Sequence, residues 1–533
     1  MTPPLITVRQ ATLALLRSFG MTTVFGNPGS TELPLFLDFP ADFRYVLGLQ
    51  ESVVVGMADG YAQASRNASF VNLHSAAGVG HAMGNIFTAY KNRTPMVITA
   101  GQQARSILPF DPFLYSGQAT ELPKPYVKWS VEPARAQDVP RAIARAYYLA
   151  MMPPRGPVLV SIPADDWSVL TEPVSARQVS QHLRPDPVLL AQVGQLLDGC
   201  RRPAFVVGAA VDRDGAWDQA VQLAERHNAH VFVAPMSGRC GFPEDHRLFA
   251  GHLPAMRERI VEQLAGHDLI VALGAAAFTY HVEGQGPHLP PGAQLVQLID
   301  DPQTAAWTPV GTSVVCSLRL GLLDLLARAP SPPRAPPQAR GPRPVAAPPA
   351  AGEPISVAWA LQTLNELRSP DSVVVEEAPS ARPVMQRHLP IVRAEAFYTM
   401  CSGGLGHGMP AAVGVALALA ESRPQAQVIA LIGDGSAMYS IQALWSAAQL
   451  KLPITFVILN NRRYAALSDF APVFGYRAGD PVAGTELPGL DFVALAAGHA
   501  VPGVRVENGA DLRDALSAAL RSRAPALVEV VVA

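Results

Sequence analysis

The sequence of 533 residues contains few cysteines, and those present are widely spaced. No two of them have the short spacing typical of zinc sites or of a disulfide framework, so we expect a protein of the reducing cytoplasm. The four are Cys200, Cys240, Cys316 and Cys401.

The sequence also lacks an excess of charge of one sign and a long apolar run. Lys and Arg total 41, Asp and Glu total 43, and the net charge of −2 is too small to favour binding to DNA or RNA. The longest apolar stretch, residues 411–420, is about half of the roughly 20 residues that a membrane helix needs, and the N-terminus lacks a signal-peptide pattern. We therefore expect a soluble, cytoplasmic protein with no nucleic-acid or membrane partner.

What is present indicates a large globular protein. Hydrophobic residues make up 49% and charged residues 16%, and the length suggests three or four domains at roughly 150 residues each. Short β-branched runs alternate with longer Ala- and Leu-rich stretches of helical period, which predicts an α/β protein of three doubly wound parallel-sheet domains. Predicted strands span residues 23–25, 70–73, 96–99, 158–162, 204–207, 269–273, 428–432, 454–459 and 526–532.

Composition also predicts the domain boundaries. Ten prolines among the 26 residues 329–354 exclude regular helix and favour an extended linker. A softer boundary lies near residues 175–187, between a predicted strand with its turn and the next helical run. The predicted domains are residues 1–180, 181–328 and 355–533, with the proline-rich linker at 329–354.

The most informative stretch, residues 428–464, reads as strand, glycine turn, helix, strand and polar turn. Right-handed crossover packing makes the two strands parallel neighbours, so Asp434 and Asn461 are expected at the same sheet edge. Gly433 and Gly435 allow backbone N–H groups to approach an anion, and the following helix adds its positive end, which predicts a diphosphate site.

Oxygen atoms in the same stretch form a hard ligand set. The Asp434 carboxylate, the Asn461 amide and the Arg463 carbonyl suit Mg²⁺ or Ca²⁺. Alone, Gly-Asp-Gly or Asn-Asn is usually an ordinary turn at the end of a strand. Together, with 24 residues of helix and strand between them, they resemble the motif of the thiamine diphosphate enzyme family.

Enzymes of that family carry a Glu that contacts the pyrimidine ring of the cofactor and promotes its active tautomer. Glu51 follows the strand-like residues 45–49 and precedes a helical run, which matches the family's Glu-then-helix segment. The resemblance therefore implies that Glu51 activates the cofactor. The alternative is a surface Glu in a first helical turn, where the helix dipole favours it.

Further segments resemble the benzoylformate decarboxylase branch of this family over nearly the whole chain outside the linker. They are FGNPGSTELP (25–34), DFRYVLGLQE (42–51), ADGYAQASR (58–66), NLHSAAGVGHAMG (72–84), TAGQQ (99–103), VKWS (127–130), YH (280–281), GGLG (403–406) and GDGSAMYSIQALW (433–445).

In that branch one serine and two histidines act together with the Glu, and the matching positions are Ser30, His74 and His281. Neutral histidines exchange protons near neutral pH, and a serine hydroxyl can hold a carboxylate or an alkoxide. Taken singly, Ser30 could cap the next helix, and each histidine could be structural.

The resemblance also implies the contacts to cofactor and substrate. Leu405 resembles the apolar residue that bends the cofactor. Expected cofactor contacts are Glu51, Pro379, Ser380, Gly403, Leu405, Gly433, Asp434, Gly435, Ser436, Asn461, Arg463 and Tyr464. The expected aromatic pocket is formed by Phe113, Leu114, Thr399, Ala466, Leu467 and Phe470.

Three segments of the sequence depart from the branch. Arg462 and Arg463 stand in place of Gly-Thr, which makes the loop bulkier and more cationic. Thr399 replaces an aromatic residue, which widens the pocket. The run EEAPS, residues 376–380, replaces a more hydroxyl-rich run near the diphosphate.

The implied reaction is the non-oxidative decarboxylation of an aromatic 2-oxo acid, benzoylformate to benzaldehyde and CO₂, through a covalent thiamine diphosphate adduct. The resemblance also implies a homo-oligomer, commonly a tetramer, in which one chain gives Glu51 and another gives Asp434 and Asn461. Two alternatives stay open: a carboligase of the acetolactate-synthase type, and a non-catalytic cofactor-binding protein. The middle domain lacks a glycine fingerprint for flavin.

Overall fold

The computed structural model describes residues 4–329, 333–338, 340–477 and 479–533. The chain folds into two compact units. The first unit comprises Met1–Val179, Ala346–Pro383 and Ser402–Ala533, and the second comprises Ser180–Val345 and Val384–Cys401.

The N-terminal part of the first unit contains a six-stranded parallel sheet, a separate antiparallel pair formed by its first and last strands, and connecting helices. Its strands are β1 (Ile6–Thr7), β2 (Thr23–Gly26), β3 (Arg44–Leu47), β4 (Ser69–Leu73), β5 (Met96–Gln102), β6 (Ser130–Val131), β7 (Pro157–Pro163) and β8 (Leu170–Thr171), and its helices are α1 (Val8–Ser18), α2 (Leu33–Phe36), α3 (Glu51–Ser65), α4 (Ser75–Lys91) and α5 (Val139–Met151). Six strands form a sheet in the order β3-β2-β4-β5-β7-β6, with parallel pairing throughout. All residues of β4, β5 and β7 are buried, because helices cover both faces.

The second unit contains another sheet of the same kind. Its elements are β9 (Pro203–Val207), β10 (His230–Val233), β11 (Phe249–His252), β12 (Leu269–Leu273), β13 (Gln294–Ile299), β14 (Thr312–Val315), α6 (Pro187–Gly199), α7 (Ala209–Arg213), α8 (Trp217–His227), α9 (Arg257–Gln263), α10 (Pro302–Trp307) and α11 (Leu318–Leu326). The strand order is β11-β10-β9-β12-β13-β14, and the pairings are parallel.

The C-terminal part of the chain adds the third sheet. Its elements are β15 (Val373–Glu377), β16 (Phe397–Thr399), β17 (Val428–Gly433), β18 (Ile454–Asn460), β19 (Gly503–Val506), β20 (Ala526–Val531), α12 (Val357–Leu367), α13 (Arg382–His388), α14 (Gly408–Ser422), α15 (Asp434–Met438), α16 (Ala443–Gln449), α17 (Ala465–Phe470), α18 (Phe492–Gly498) and α19 (Gly509–Arg521). Within the first unit, β15-β17-β18-β20-β19 follow one another with parallel pairing. The predicted α/β class with parallel sheets is confirmed, and every predicted strand is present with its ends shifted by at most a few residues.

Short 3₁₀ turns span Leu108–Phe110, Ala136–Asp138, Asp166–Ser168 and Ala471–Phe474. The apolar stretch 411–420 lies inside the buried helix α14. Across the described ranges, no helix has both the length and the apolar character that crossing a membrane would require.

Helices α3 and α14 of the first unit approach each other at glycines. A Cβ atom built on Gly60 would collide with the carbonyl oxygen of Ala411, and one on Gly414 would collide with the carbonyl oxygen of Met57. The two helix backbones therefore touch, and only a residue without a side chain fits between them. This contact fixes the position of α3 relative to α14.

A buried ion pair reinforces the same crossing. His407 Nε2 lies 2.8 Å from Asp59 Oδ2, and both side chains are fully buried. Burial alone would raise the pKa of Asp59, but the charge of His407 and hydrogen bonds from His407, Thr94 and Gln63 hold it below its usual value. Burial alone would lower the pKa of His407, but Asp59, and to a smaller extent Glu377, raise it. The pairing therefore favours the charged form of both groups.

The predicted linker has no helix or strand in its described residues, apart from a turn near Gly352. Its arginines fasten it along the second unit: Arg334 donates to the carbonyl oxygen of Cys200 at 2.9 Å, and Arg343 donates to that of Gln386 at 2.9 Å. Pro330, Ser331, Pro332 and Ala339 of this predicted linker lie outside the described residues.

Candidate active site

Two neighbouring strand ends of the third sheet bring Asp434 and Asn461 together. Strands β17 and β18 pair in parallel up to Gly433 opposite Leu459, so the turns that follow them lie side by side. The Arg463 N–H group lies 3.2 Å from Asp434 Oδ2 and 3.2 Å from Asn461 Oδ1. The predicted proximity of these two side chains is therefore present in the structure.

The donor set at this edge fits a hard divalent cation. Asp434 is only 4% exposed, and burial raises the pKa of its carboxyl group although backbone N–H groups act in the opposite direction. A cation placed beside it would offset that burial cost. Within the described part of the chain, no three His, Cys, Asp or Glu side chains form a cluster that could hold a metal, so a cation here would rely on Asp434, Asn461, backbone oxygens and oxygens from a ligand.

The glycine turn begins directly beside these oxygens. Gly433 precedes α15, and Asp434 Oδ1 accepts the N–H of Gly435 at 2.7 Å. A Cβ atom on Gly435 would collide with the ring of Tyr464, so the turn can pass Tyr464 only as glycine. Ser436 follows in α15 and is buried.

The two asparagines of the Asn-Asn turn have different hydrogen-bond partners. Asn460 Nδ2 donates to the buried Glu529 at 2.7 Å, and Asn460 Oδ1 accepts the N–H of Arg462 at 3.0 Å. Asn460 thus holds the turn in place, and Asn461 is the one that faces Asp434. Arg462 has φ +59°, in the left-handed region, and the side chains of Arg462 and Arg463 are exposed.

Glu51 is the first residue of α3, whose N-cap is Gln50. The Gln50 side chain accepts the N–H of Val53 at 3.1 Å, which fixes the start of the helix. The Glu51 side chain is only 12% exposed and lies 3.2 Å from Nδ1 of His81 on α4. A Glu that only favoured the helix dipole from the surface would be more exposed than this.

His74 is oriented by a residue that sequence reasoning missed. Glu32, 1% exposed, accepts hydrogen bonds from the Gly29 N–H at 2.8 Å and the Thr31 hydroxyl at 2.6 Å, and its Oε2 lies 2.8 Å from His74 Nδ1. The contact with the carboxylate favours the proton on Nδ1 and leaves Nε2 to exchange protons. The only signal in the sequence was a Glu two residues after Ser30.

Ser30 lies on the turn before α2 and is exposed. The N-cap position of α2 is occupied by Glu32, so Ser30 does not cap this helix. Its hydroxyl lies on the same turn as Gly29, where a Cβ atom would collide with the His74 ring. The turn therefore passes His74 at close range at Gly29, and Ser30 is the next residue along it.

The loop that carries Leu405 is held by a buried carboxylate. Glu377, at the end of β15, accepts the N–H groups of Gly406 at 2.6 Å and His407 at 2.7 Å. Asn85 of α4 donates to the carbonyl oxygen of Gly406 at 3.1 Å, which ties the loop to α4. Burial raises the pKa of Glu377 even though these N–H groups act to lower it.

The remaining predicted cofactor contacts lie nearby in sequence. Gly403 begins the Leu405 loop with φ +75°, a conformation that favours glycine. Pro379 and Ser380 follow β15 and are half-buried. Tyr464 donates its N–H to the carbonyl oxygen of Thr485 at 2.7 Å.

The predicted pocket residues are divided between the units. In the first unit, Phe113 is 86% and Leu467 54% exposed, and Ala466 and Phe470 of α17 are half-buried. Leu114 has φ +67°, and its carbonyl oxygen accepts the Ser75 hydroxyl at 2.9 Å.

Thr399 and His281 belong to the second unit. Thr399 is buried, and its N–H donates to the carbonyl oxygen of Gly238 at 3.0 Å. His281 is exposed, and its N–H donates to the carbonyl oxygen of Ala255 at 2.9 Å.

Three family models match successive parts of the chain. Residues 6–120 match the N-terminal TPP binding domain of thiamine pyrophosphate enzymes, residues 190–325 their central domain, and residues 380–530 their C-terminal TPP binding domain. The chain belongs to this family of thiamine diphosphate-dependent enzymes, thiamine diphosphate being another name for the pyrophosphate.

The most informative relatives belong to one branch of that family. The chain is 45% identical over 528 residues, 98% of each chain, to benzoylformate decarboxylase of Pseudomonas aeruginosa. It is similar to the crystal structure of benzoylformate decarboxylase from Polynucleobacter necessarius, with a TM-score of 0.95 and 40% identity over 99% of this chain and 98% of that one. It is also similar to the thiamine diphosphate-dependent 4-hydroxybenzoylformate decarboxylase of Rhodococcus jostii, with a TM-score of 0.94 and 41% identity over 99% of each chain.

Proposed function

We propose that this enzyme decarboxylates an aromatic 2-oxo acid without oxidation, converting benzoylformate to benzaldehyde and CO₂. The observation that carries the proposal is His74, whose Nδ1 lies 2.8 Å from the buried Glu32 carboxylate. A decarboxylase must deliver a proton to the carbon that loses CO₂, and a histidine oriented in this way can do so. A carboligase instead needs that carbon to remain unprotonated until a second carbonyl arrives.

The chain's own residues would hold the cofactor at two places. Glu51 would bind the pyrimidine ring, and the turn at Gly433 and Gly435 would bind the diphosphate. Asp434 and Asn461, with the Arg463 carbonyl, would hold Mg²⁺ or Ca²⁺ against it. When bound, thiamine diphosphate supplies the electron sink that accepts the electron pair released with CO₂.

The side chains around the substrate would bind it and move its protons. The Ser30 hydroxyl would donate a hydrogen bond to the substrate carboxylate and later to the oxygen of the former keto group. His74 Nε2 and the His281 imidazole would return a proton to the carbon and take one from the product hydroxyl, and such positioned transfer typically contributes about 10²- to 10⁴-fold. Phe113, Leu467 and their predicted pocket neighbours would exclude water from the ring.

The assembly we propose is a homo-oligomer, with a tetramer as its full form, in the cytoplasm. Glu51 of one chain would serve the same site as Asp434 and Asn461 of another. The proposal is supported by the large exposed apolar side chains on the first unit, among them Phe113 at 86% and Phe474 at 71% exposure. Where such side chains lie together in one patch, they mark a protein–protein interaction site.

The test is to follow CO₂ and benzaldehyde released from benzoylformate by the purified protein, with added thiamine diphosphate and Mg²⁺. We expect stoichiometric aldehyde, loss of activity with a chelator, and recovery on adding Mg²⁺. Replacing Glu51 with Gln should nearly abolish turnover and leave cofactor binding in place. Condensation products without free aldehyde would favour the carboligase alternative, and cofactor binding without turnover would favour a non-catalytic role.

A further inference from the structure

The exposed face of α4 beside Glu51 carries one large side chain. Ala77, Gly80 and Gly84 on this face are small, and a Cβ atom at Gly80 or Gly84 would meet no atom within 4 Å. His81 stands among them, 64% exposed, with Nδ1 at 3.2 Å from Oε2 of Glu51. The mechanism described above gives no role to His81.

The helix backbones hold this pair at hydrogen-bonding distance. A Cβ atom built on Gly78 would lie 3.5 Å from Cγ of Glu51, so the α4 backbone passes directly beside the Glu51 side chain. Asn85, one turn after His81, donates to the carbonyl oxygen of Ser52 at 2.7 Å. Because α3 and α4 are tied together next to Glu51, the fold fixes the two backbones that carry this pair and keeps the imidazole within reach of the carboxylate.

We propose that His81 is a positioning residue for Glu51, an inference that rests on the proposed role of Glu51 as activator of the cofactor. With its proton on Nδ1, the imidazole donates a hydrogen bond to Oε2 and fixes the rotamer of the carboxylate. Oε1 then stays available for the hydrogen bond with the pyrimidine ring. Hydrogen bonds that involve a charged group are the stronger ones and hold their geometry best. An unheld carboxylate at the first residue of a helix would instead sample several rotamers.

The first experiment compares His81→Ala with His81→Asn in the loaded enzyme. Asn places an amide N–H close to the position of Nδ1, so it retains the donor. We expect His81→Ala to lower kcat about tenfold with KM for benzoylformate unchanged, and His81→Asn to recover activity to within about threefold of the parent. Turnover by His81→Ala within twofold of the parent would overturn the proposal, and so would an Asn variant as slow as the Ala variant.

The second experiment needs no cofactor and no turnover. In cofactor-free protein with ¹⁵N-labelled histidine, the ¹⁵N chemical shifts of the His81 ring should report the tautomer with its proton on Nδ1. Glu51→Ala removes the acceptor and should move the ring toward the tautomer with its proton on Nε2, whereas ring shifts that are unchanged in this variant would refute the contact. The proposed role of Glu51 and the proposed role of His81 can be refuted separately. A fully active Glu51→Gln variant would refute the role of Glu51. An inactive Glu51→Gln variant together with a His81→Ala variant of normal activity would refute only the role of His81.

Discussion

Replacing Glu32 with Gln tests whether the orientation of His74 matters for turnover. The Glu32 carboxylate is 1% exposed, so no water can replace a hydrogen bond that is lost. Gln keeps an oxygen for the Gly29 N–H group, but its neutral amide replaces the charged partner 2.8 Å from His74 Nδ1. A hydrogen bond to a charged group contributes about 1.5–3 kcal/mol, and a change of ~1.4 kcal/mol is tenfold in rate, so we expect kcat to fall ten- to a hundredfold.

The assay is the release of benzaldehyde from benzoylformate, measured for Glu32→Gln, His74→Ala and the double variant. If Glu32 acts through His74, the loss caused by Glu32→Gln should be much smaller in the His74→Ala background, because residues that act as a unit are not additive. A thermal unfolding scan of each variant separates a loss of orientation from a loss of folded protein. Full activity of Glu32→Gln, or equal losses in both backgrounds, would refute the reasoning.

Further predictions concern the crossing of α3 and α14. Gly60→Ala should destabilise the fold by about 1–3 kcal/mol or more, because the added methyl group collides with the Ala411 carbonyl oxygen. Gly199→Ala is the control, since a Cβ atom there meets nothing within 4 Å, and it should be neutral or slightly stabilising. Urea unfolding of the two variants makes the comparison. Since the pKa of His407 is raised by its pairing with Asp59, the stability from this pair should be complete below about pH 6.5 and decline as the pH rises through the raised value. Since the pKa of Asp59 is lowered, the same stability should also decline in strong acid, as the pH falls through that lowered value. Urea midpoints measured between pH 3 and 9 should show both losses of stability in the parent protein. The variant His407→Phe leaves the Asp59 charge unpaired and should be less stable by roughly 3–5 kcal/mol at neutral pH. A midpoint equally insensitive to pH in both proteins would contradict the assignment.

The sheets and the strand-end turns could be predicted from sequence, because both depend on local patterns. Buried strands appear as β-branched runs, and parallel pairing follows from the helices between them. The same topology argument placed Asp434 beside Asn461, since the turns after neighbouring parallel strands share one edge.

Contacts that depend on side chains far apart in sequence could not be predicted. Glu32 and His74 are 42 residues apart, and nothing local distinguishes a Glu that turns inward from one that faces solvent. The crossing of α3 and α14 depends on Gly60 and Gly414 meeting backbone atoms of the opposite helix, which no helical period reveals. Phe113, which is predicted to line the aromatic pocket, is 86% exposed in the single chain. Its surroundings could not be predicted, because an exposed apolar residue has the same sequence pattern as a buried one.

The glycine-to-backbone contact between α3 and α14 also determines where this enzyme can be altered. Any mutant library that varies positions 60 or 414 samples mainly destabilised chains, since a side chain at either position of this seam collides with the backbone of the opposite helix. In the 462–470 segment, Arg462, Arg463, Leu467 and Asp469 are exposed, so diversity at these four positions should disturb the scaffold less. Efforts to redirect the catalyst toward other acids should therefore concentrate on that segment and hold the seam constant.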